Sequence, residues 1–346
     1  MKSYVFPGNI EESILSIGAE QIPYMRTSEF SQVNLESERI LLDLIGCKDG
    51  RTIIYTGSGT GAMDAVVSNY VTTRKKAFVI DGGSFGRRWV SLCDYYGCSH
   101  YDYIVPFAKD IDYDDLEKCV CEQQPDVLLC QHHETSTGQL FNLHEISTIC
   151  KKYGVSLIVD VISSFLADEL NMDELGIDIC ITSTQKGLNV PPGLSILFFS
   201  AQLIDYKFNR NSYYFDFQEN LKNLRRGQTP FSPATTIYLQ LHARLKQLAS
   251  CGVAENMKAV HNRASYFREI CRKYNWNIPA EIPSNAITGF FVNRNKDKIF
   301  RSLIDEFDIF IMPGSIDGFF RVSHMGLQYE KDLDELGMRI HEIEQR

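Results

Sequence analysis

The sequence has no basic run, no arginine-rich helix and no long apolar stretch, and each absence removes a class of function. With 35 Lys and Arg against 44 Asp and Glu, the chain carries a net charge of −9. Binding a phosphate backbone needs a basic face, so nucleic acid is not expected as a partner. No apolar segment reaches the length a bilayer demands, so no membrane-spanning helix is expected. The opening residues MKSYVFPGNIEES lack the uninterrupted apolar core of a secretory signal, which points to the cytoplasm. There is no CxxC motif. Among ten cysteines the only close pair is Cys119-Val-Cys121, and the others lie mostly in apolar runs such as Val127 to Cys130. Reduced, buried thiols fit that distribution, without disulfides or a structural metal.

What is present suits a sizeable globular core. The chain has 346 residues, 44% of them hydrophobic and 23% charged, a length that suggests roughly two domains. From about residue 50 to 200, short β-rich runs alternate with helical patterns. The runs predict strands at Thr52–Tyr55, Ala77–Asp81, Tyr101–Val105, Asp126–Cys130, Ser156–Asp160, Asp178–Thr182 and Leu194–Phe199. Several are apolar throughout, as when both faces of a parallel sheet are covered. Between them the spacing predicts helices at Phe85–Tyr96, Asp112–Gln123 and Leu143–Tyr153, the last closed by Gly154. The fold class is therefore α/β, with a large, mostly parallel seven-stranded sheet. After residue 200 helices dominate, followed by short strands around Gly289–Val292, Phe310 and Phe320–Ser323 and a last helix from Tyr329. We expect an N-terminal arm over residues 1–20, a large α/β domain over 21–250 and a small C-terminal α+β domain over 251–346.

Ligands of such sheets bind at the carboxyl ends of the strands, and three strand-end features there carry chemistry. The first is the turn from Thr56 to Gly61, with glycines at 57, 59 and 61. Its backbone N–H groups and the following helix dipole could hold a phosphate, with Ser58 and Thr60 adding hydroxyls. Alone it would equally be a tight strand-to-helix turn, and no lysine follows to make it a P-loop. The second is Asp160, ending an apolar strand, where a helix cap is the rival role. The third is Lys186, which follows another apolar strand among small and turn-forming residues. Taken singly it would be a solvated loop lysine. Phosphate cradle, aspartate and lysine in this order are what a pyridoxal 5′-phosphate (PLP) site requires. A lysine amine condenses with the cofactor aldehyde as an internal Schiff base, and a carboxylate keeps the pyridine nitrogen protonated. The freed lysine can then move a proton at the substrate.

Over nearly its whole length the chain resembles the class V aminotransferases of fold type I. These include alanine–glyoxylate, serine–pyruvate and 2-aminoethylphosphonate–pyruvate aminotransferases. The likeness rests on Ser58-Gly59-Thr60, Ser84-Phe85-Gly86, the stretch His132 to Gly138, Asp160 to Ser163, Thr184-Gln185-Lys186 and Phe320 to Gly326. It implies that Ser58, Gly59, Thr60 and Gln185 hold the phosphate, and that Phe85 stacks on the pyridine ring. Ile162 would cover the opposite face and Thr135 contact the ring hydroxyl region, with Lys186 and Asp160 as the catalytic pair. Arg321 matches the arginine that binds the substrate carboxylate, a task its planar fork suits. Arg26 is the fallback anion site. The segment Arg225 to Pro233 resembles one that reaches the neighbouring subunit's phosphate, with Thr229 the first choice for that contact and Ser232 the second. The family uses no metal, and adjacent His132 and His133 could not easily share one.

The implied reaction moves an amino group from a small donor, 2-aminoethylphosphonate, alanine or serine, to pyruvate or glyoxylate in a homodimer. The alternatives are a PLP-dependent lyase such as a cysteine desulfurase, which would use histidine where Phe85 stands, or a non-catalytic PLP-binding protein. One departure touches substrate choice: Phe6-Pro7-Gly8-Asn9 replaces the family's Pro-Gly-Pro turn in the arm.

Overall fold

Apolar runs with side chains alternating across two faces need cover on both sides, and seven of them build the central sheet. The structure, a computed structural model, describes residues 1–346 apart from the side chain of Thr73. Its sheet contains β1 (Arg51–Thr56), β2 (Ala77–Asp81), β3 (His100–Ile104), β4 (Val127–Gln131), β5 (Ser156–Asp160), β6 (Ile179–Ser183) and β7 (Leu194–Phe199). Their spatial order is β1-β7-β6-β5-β4-β2-β3. Only β7 runs antiparallel to its neighbours. The alternation divides each run between two cores. Leu128, Cys130, Leu157, Val159 and Cys180 pack with Leu116, Val120 and Ile146 on one face. Val127, Leu129, Ile158, Ile179 and Ile181 pack with Met63, Trp89 and Val90 on the other. Each such side chain, wholly removed from water, contributes about 1.5–3 kcal/mol.

All seven strands lie within a residue or so of their predicted spans. The helix Leu143–Tyr153 has the expected boundaries: Asn142 caps its start by accepting from His144 N, and Gly154 closes it at φ 67°. Two helices of more than one turn escape the sequence pattern, Ser28–Ile45 and Phe217–Leu224, as do the four-residue helices Glu12–Leu15 and Met172–Leu175. The first buries Phe30, Ile40, Leu41 and Ile45 against Tyr238, Leu241 and Leu245. Its inward face also carries buried Asn34, Ser37 and Glu38, which break the apolar period. Glu38 holds Arg51 Nε at 2.8 Å and Thr52 N at 3.0 Å, tying the helix to the start of β1.

Beyond residue 252 an antiparallel sheet places β10 (Phe319–Ser323) between β8 (Ile287–Phe291) and β9 (Met312–Pro313). The helices Val253–Lys273, Lys296–Phe307 and Glu330–Gln345 cover it around Phe267, Leu303, Phe320 and Leu336. The chain's start joins this layer, since Lys2–Ser3 pairs with Ile309–Phe310. It then turns at Pro7–Asn9, where Asn189 Nδ2 donates to Pro7 O at 2.8 Å and Leu327 N donates to Asn9 O at 2.9 Å. Among the described residues, no helix is long and apolar enough to cross a membrane. The ten cysteines are free thiols.

Candidate active site

The carboxyl ends of β1, β2, β4, β5 and β6 share one sheet edge, so the segments after them meet. The β6 segment turns tightly: Val190 N donates to Thr184 O at 3.1 Å and Thr184 Oγ1 donates to Pro191 O at 2.8 Å. A Cβ at Gly187 would lie 2.0 Å from Phe165 O, so only glycine lets the turn seat there. Lys186 is thereby held inside, 6% exposed, with Nζ 3.1 Å from the centroid of the Phe6 ring. Burial pushes its amine well below the ordinary lysine range. Asp160 opposes that shift, while the cations Arg321 and Arg88 add to it. An uncharged amine is the form that can attack a carbonyl carbon.

Asp160 ends β5 and is buried. Its Oδ1 accepts from Ile162 N at 2.8 Å, and no described residue donates to its other oxygen. Burial raises its carboxyl pKa to about 7, against the Ile162 N–H, Lys186 and Arg88, which favour the anion. A cationic ring nitrogen there would complete its hydrogen bonding and restore its charge.

The Thr56–Gly61 turn opens the helix Gly59–Val66, whose cap residue Ser58 makes no side-chain cap bond; Gly61 N donates to Ser58 O at 2.8 Å, and the N–H groups of Gly59 and Thr60 have no partner among the described residues. A Cβ at Gly59 would meet Ile162 Cδ1 at 2.4 Å, so the bare backbone lets this helix approach the β5 segment. Arg88 Nη1 donates to Thr60 Oγ1 at 2.8 Å, and its guanidinium lies 4.8 Å from the Phe85 ring centroid. Sequence reasoning missed Arg88. The signal was two arginines in the first turn of the helix Gly86–Tyr96, where the dipole disfavours cations. Arg87 answers it by pairing with Asp81; Arg88 has no carboxylate partner among the described residues. The hydroxyl of Ser183, 3.5 Å from where a Gly59 Cβ would lie, is buried without a partner. Free helix N–H groups, a cation and spare hydroxyls form a donor set for a phosphate.

Thr135 Oγ1 hydrogen-bonds Ser163 Oγ, joining the segments after β4 and β5. Its carbonyl accepts from Arg321 Nη1 at 3.0 Å, while Arg321 Nη2 donates to Pro313 O at 2.9 Å. Arg321 thus reaches the edge from β10, with Nε buried and unpartnered. The rings of His132 and His133 are buried, and burial lowers both pKa values, that of His132 to about 3. No three metal-ligating side chains cluster among the described residues. Thr229 lies apart, on a segment alongside β1. Its Oγ1 donates to Phe231 O at 2.7 Å and its carbonyl accepts from Arg26 Nη1 at 2.5 Å, while Ser232 is exposed.

A doubly covered, mostly parallel sheet with a buried lysine and aspartate beside an anion cradle defines the class of fold type I PLP enzymes. Residues 23–314 match the family description "Aminotransferase class-V", and the chain belongs to that family. It is 29% identical over 345 residues to a protein named soluble hydrogenase, small subunit, from Synechococcus sp. (strain PCC 6716), covering 94% of this chain and 88% of that one. It is 28% identical over 336 residues to serine–glyoxylate aminotransferase of Hyphomicrobium methylovorum, covering 85% and 82%. The crystal structure of alanine–glyoxylate aminotransferase from Nostoc sp. superposes with a TM-score of 0.91 at 22% identity, over 97% of this chain and 93% of that one. The protein is a PLP-dependent aminotransferase. The free donors near Arg88 and the open oxygen of Asp160 fit the cofactor's phosphate and its ring nitrogen.

Proposed function

We propose that this enzyme transfers the amino group of a small donor, 2-aminoethylphosphonate, alanine or serine, to pyruvate or glyoxylate, with Lys186 and Asp160 as its catalytic residues. When bound, PLP supplies an aldehyde that condenses with amines and a ring that takes up the electrons freed at the substrate Cα. Ser58, Gly59, Thr60, Gln185 and Arg88 would hold its phosphate. Phe85 and Ile162 would bracket the ring, with Thr135 near its hydroxyl. Asp160 would hold a proton on the pyridine nitrogen. Lys186 would bind the cofactor covalently and, once released, carry a proton between the substrate Cα and C4′. Arg321 would grip the acidic group common to donor and acceptor. The observation that carries this proposal is the buried Lys186 amine, held at the turn after β6 under the Phe6 ring and shifted by burial well below the ordinary lysine range. The test is a screen of amino donors against pyruvate and glyoxylate. We expect turnover with small donors. Turnover confined to bulky donors, or sulfide release from cysteine instead of transamination, would overturn it.

Arg321→Lys keeps the charge and loses the fork. We expect kcat/KM to fall by about 30- to 1000-fold for donor and acceptor alike, the equivalent of roughly 2–4 kcal/mol, with PLP binding unchanged. If both values stay within about threefold of the parent, the anion site is elsewhere, Arg26 being the next candidate.

The small domain we propose spans residues 251–346 and the large one 21–250, with residues 1–20 as the arm. A homodimer in the cytoplasm, with Thr229 or Ser232 reaching the neighbouring subunit's phosphate, is also part of the proposal. Its support is an aromatic surface beside Thr229, where Tyr213 is 88% exposed and Tyr214 stacks on Phe231 at 5.3 Å. Sedimentation of the PLP-loaded protein as a monomer would count against it.

A further inference from the structure

One buried carboxylate near the site has no part in the proposal above. Glu134 is fully buried at the hairpin of His133–Glu134 with Gln139–Leu140. Its oxygens take five donors. Oε2 accepts from Phe85 N at 3.2 Å, Gly86 N at 3.1 Å and Gln131 Nε2 at 3.1 Å, and Oε1 accepts from Ser136 N at 3.0 Å and Ser136 Oγ at 2.5 Å. Ser136 Oγ also accepts from Ser84 N at 3.0 Å. All five partners are neutral groups that donate here, an arrangement that suits a carboxylate; burial raises the Glu134 pKa, and the hydrogen bonds from Ser136, Gly86 and Phe85 oppose that shift. Burying a charge without a counter-ion is costly, and five hydrogen bonds are what offset it here.

The surrounding backbone is shaped to admit this side chain. A Cβ at Gly83 would lie 2.8 Å from Glu134 Cγ, and one at Gly86 would lie 2.9 Å from Gln131 Nε2. Glu134 therefore clamps the turn after β2 to the turn after β4. Each turn presents a contact residue: Phe85 from the first and Thr135 from the second. The Thr135 carbonyl in turn holds Arg321 Nη1. A Cβ at Gly289, the residue paired with Arg321 across β8 and β10, would lie 2.8 Å from Thr137 O, so the same turn sits against the strand behind Arg321.

We propose that Glu134 is a positioning residue of the transamination site, whose buried carboxylate sets the Phe85 ring and, through the Thr135 carbonyl, the Arg321 fork. It rests on the proposal above in taking Phe85 and Arg321 as contact residues. The charge also acts at a distance, favouring the protonated form of Lys186 and disfavouring the ionised form of Asp160. The role predicts a signature that spans two ligands, because one carboxylate holds a cofactor contact and a substrate contact together.

The experiment compares Glu134→Gln and Glu134→Asp with the parent holoenzyme, reading visible-band circular dichroism, the PLP dissociation constant of the stripped protein, and KM and kcat for both substrates. The amide of Glu134→Gln would face backbone N–H groups with a donor. We expect altered dichroism, and PLP dissociation and both KM values raised about 10- to 100-fold, as for a lost hydrogen-bonded charge. Glu134→Asp should recover part of this by keeping the charge. Phe85→Leu and Arg321→Lys are run alongside. If Phe85→Leu raises the PLP dissociation constant or alters the dichroism and Arg321→Lys raises both KM values, while Glu134→Gln stays within twofold of the parent in every readout, the positioning role is overturned. If those two are themselves silent, the contact roles fail and positioning falls with them. Should Glu134→Gln not fold, Ser136→Ala removes one of the five donors and the link to Ser84. The same signature at smaller size is then expected, and its absence overturns the proposal.

Discussion

Lys186→Ala is expected to lower kcat by about 10⁴-fold or more, the largest effect of any single substitution in this protein. Two losses combine. The variant has no amine to link the cofactor covalently, and no group to carry the proton at the substrate Cα. The second loss alone is worth about 10²- to 10⁴-fold. Burial shifts the Lys186 amine well below its ordinary pKa, which favours the uncharged form that acts as nucleophile and base. A small primary amine added to the variant should restore part of the rate, which misfolded protein would not allow. Borohydride treatment of the parent should fix the cofactor on the peptide containing Lys186. A label found by mass spectrometry on any other lysine would end the assignment.

Asp160→Asn should separate activity from stability. The amide can still accept from Ile162 N but cannot hold a proton on the ring nitrogen as a carboxylate does. A charge-assisted bond in a dry site is worth about 3–5 kcal/mol, so kcat/KM should fall by roughly 10²- to 10⁴-fold with PLP still bound. Stability of the cofactor-free protein should move the other way. Burial raises the Asp160 pKa from 3.8 to about 7, so the fold favours the neutral acid. That contribution is fully present below about pH 4 and is lost as pH rises through about 7. At ~1.4 kcal/mol per pH unit, the displacement amounts to at most about 4 kcal/mol against the ionised parent at pH 8. The variant, with nothing to ionise, escapes this loss. Melting temperatures of both cofactor-free proteins between pH 4.5 and 8 should diverge as pH rises, with the variant the more stable. A pH-independent gap would show that Asp160 is not strained by burial, and near-parental turnover would remove its catalytic role.

The strands were legible because each is a short apolar run stopped by turn-forming residues, a pattern read within half a dozen positions. Lys186 and Asp160 were legible for the same reason: each follows or ends such a run, and strand ends are where parallel sheets bind ligands. The helix Ser28–Ile45 was not, since Asn34, Ser37 and Glu38 take polar partners on its buried face and interrupt the apolar stripe that marks a helix. Arg88 left only a faint signal, a cation at the wrong end of a helix dipole. Glu134 left none, because its five donors come from two turns that lie about 50 residues apart in the chain and become neighbours only when β2 pairs with β4.

By itself, then, the sequence determined the alternating α/β pattern, the glycine-rich turn after β1 and the strand-end positions of Asp160 and Lys186, all of which depend on neighbours along the chain. The tertiary structure alone decided that β7 runs antiparallel, that Arg321 is oriented by the carbonyls of Thr135 and Pro313, that Phe6 covers Lys186, and that Arg88 faces Thr60. These contacts join segments far apart in sequence. Strand order and the closing of long loops bring them together, and neither leaves a local periodicity to read.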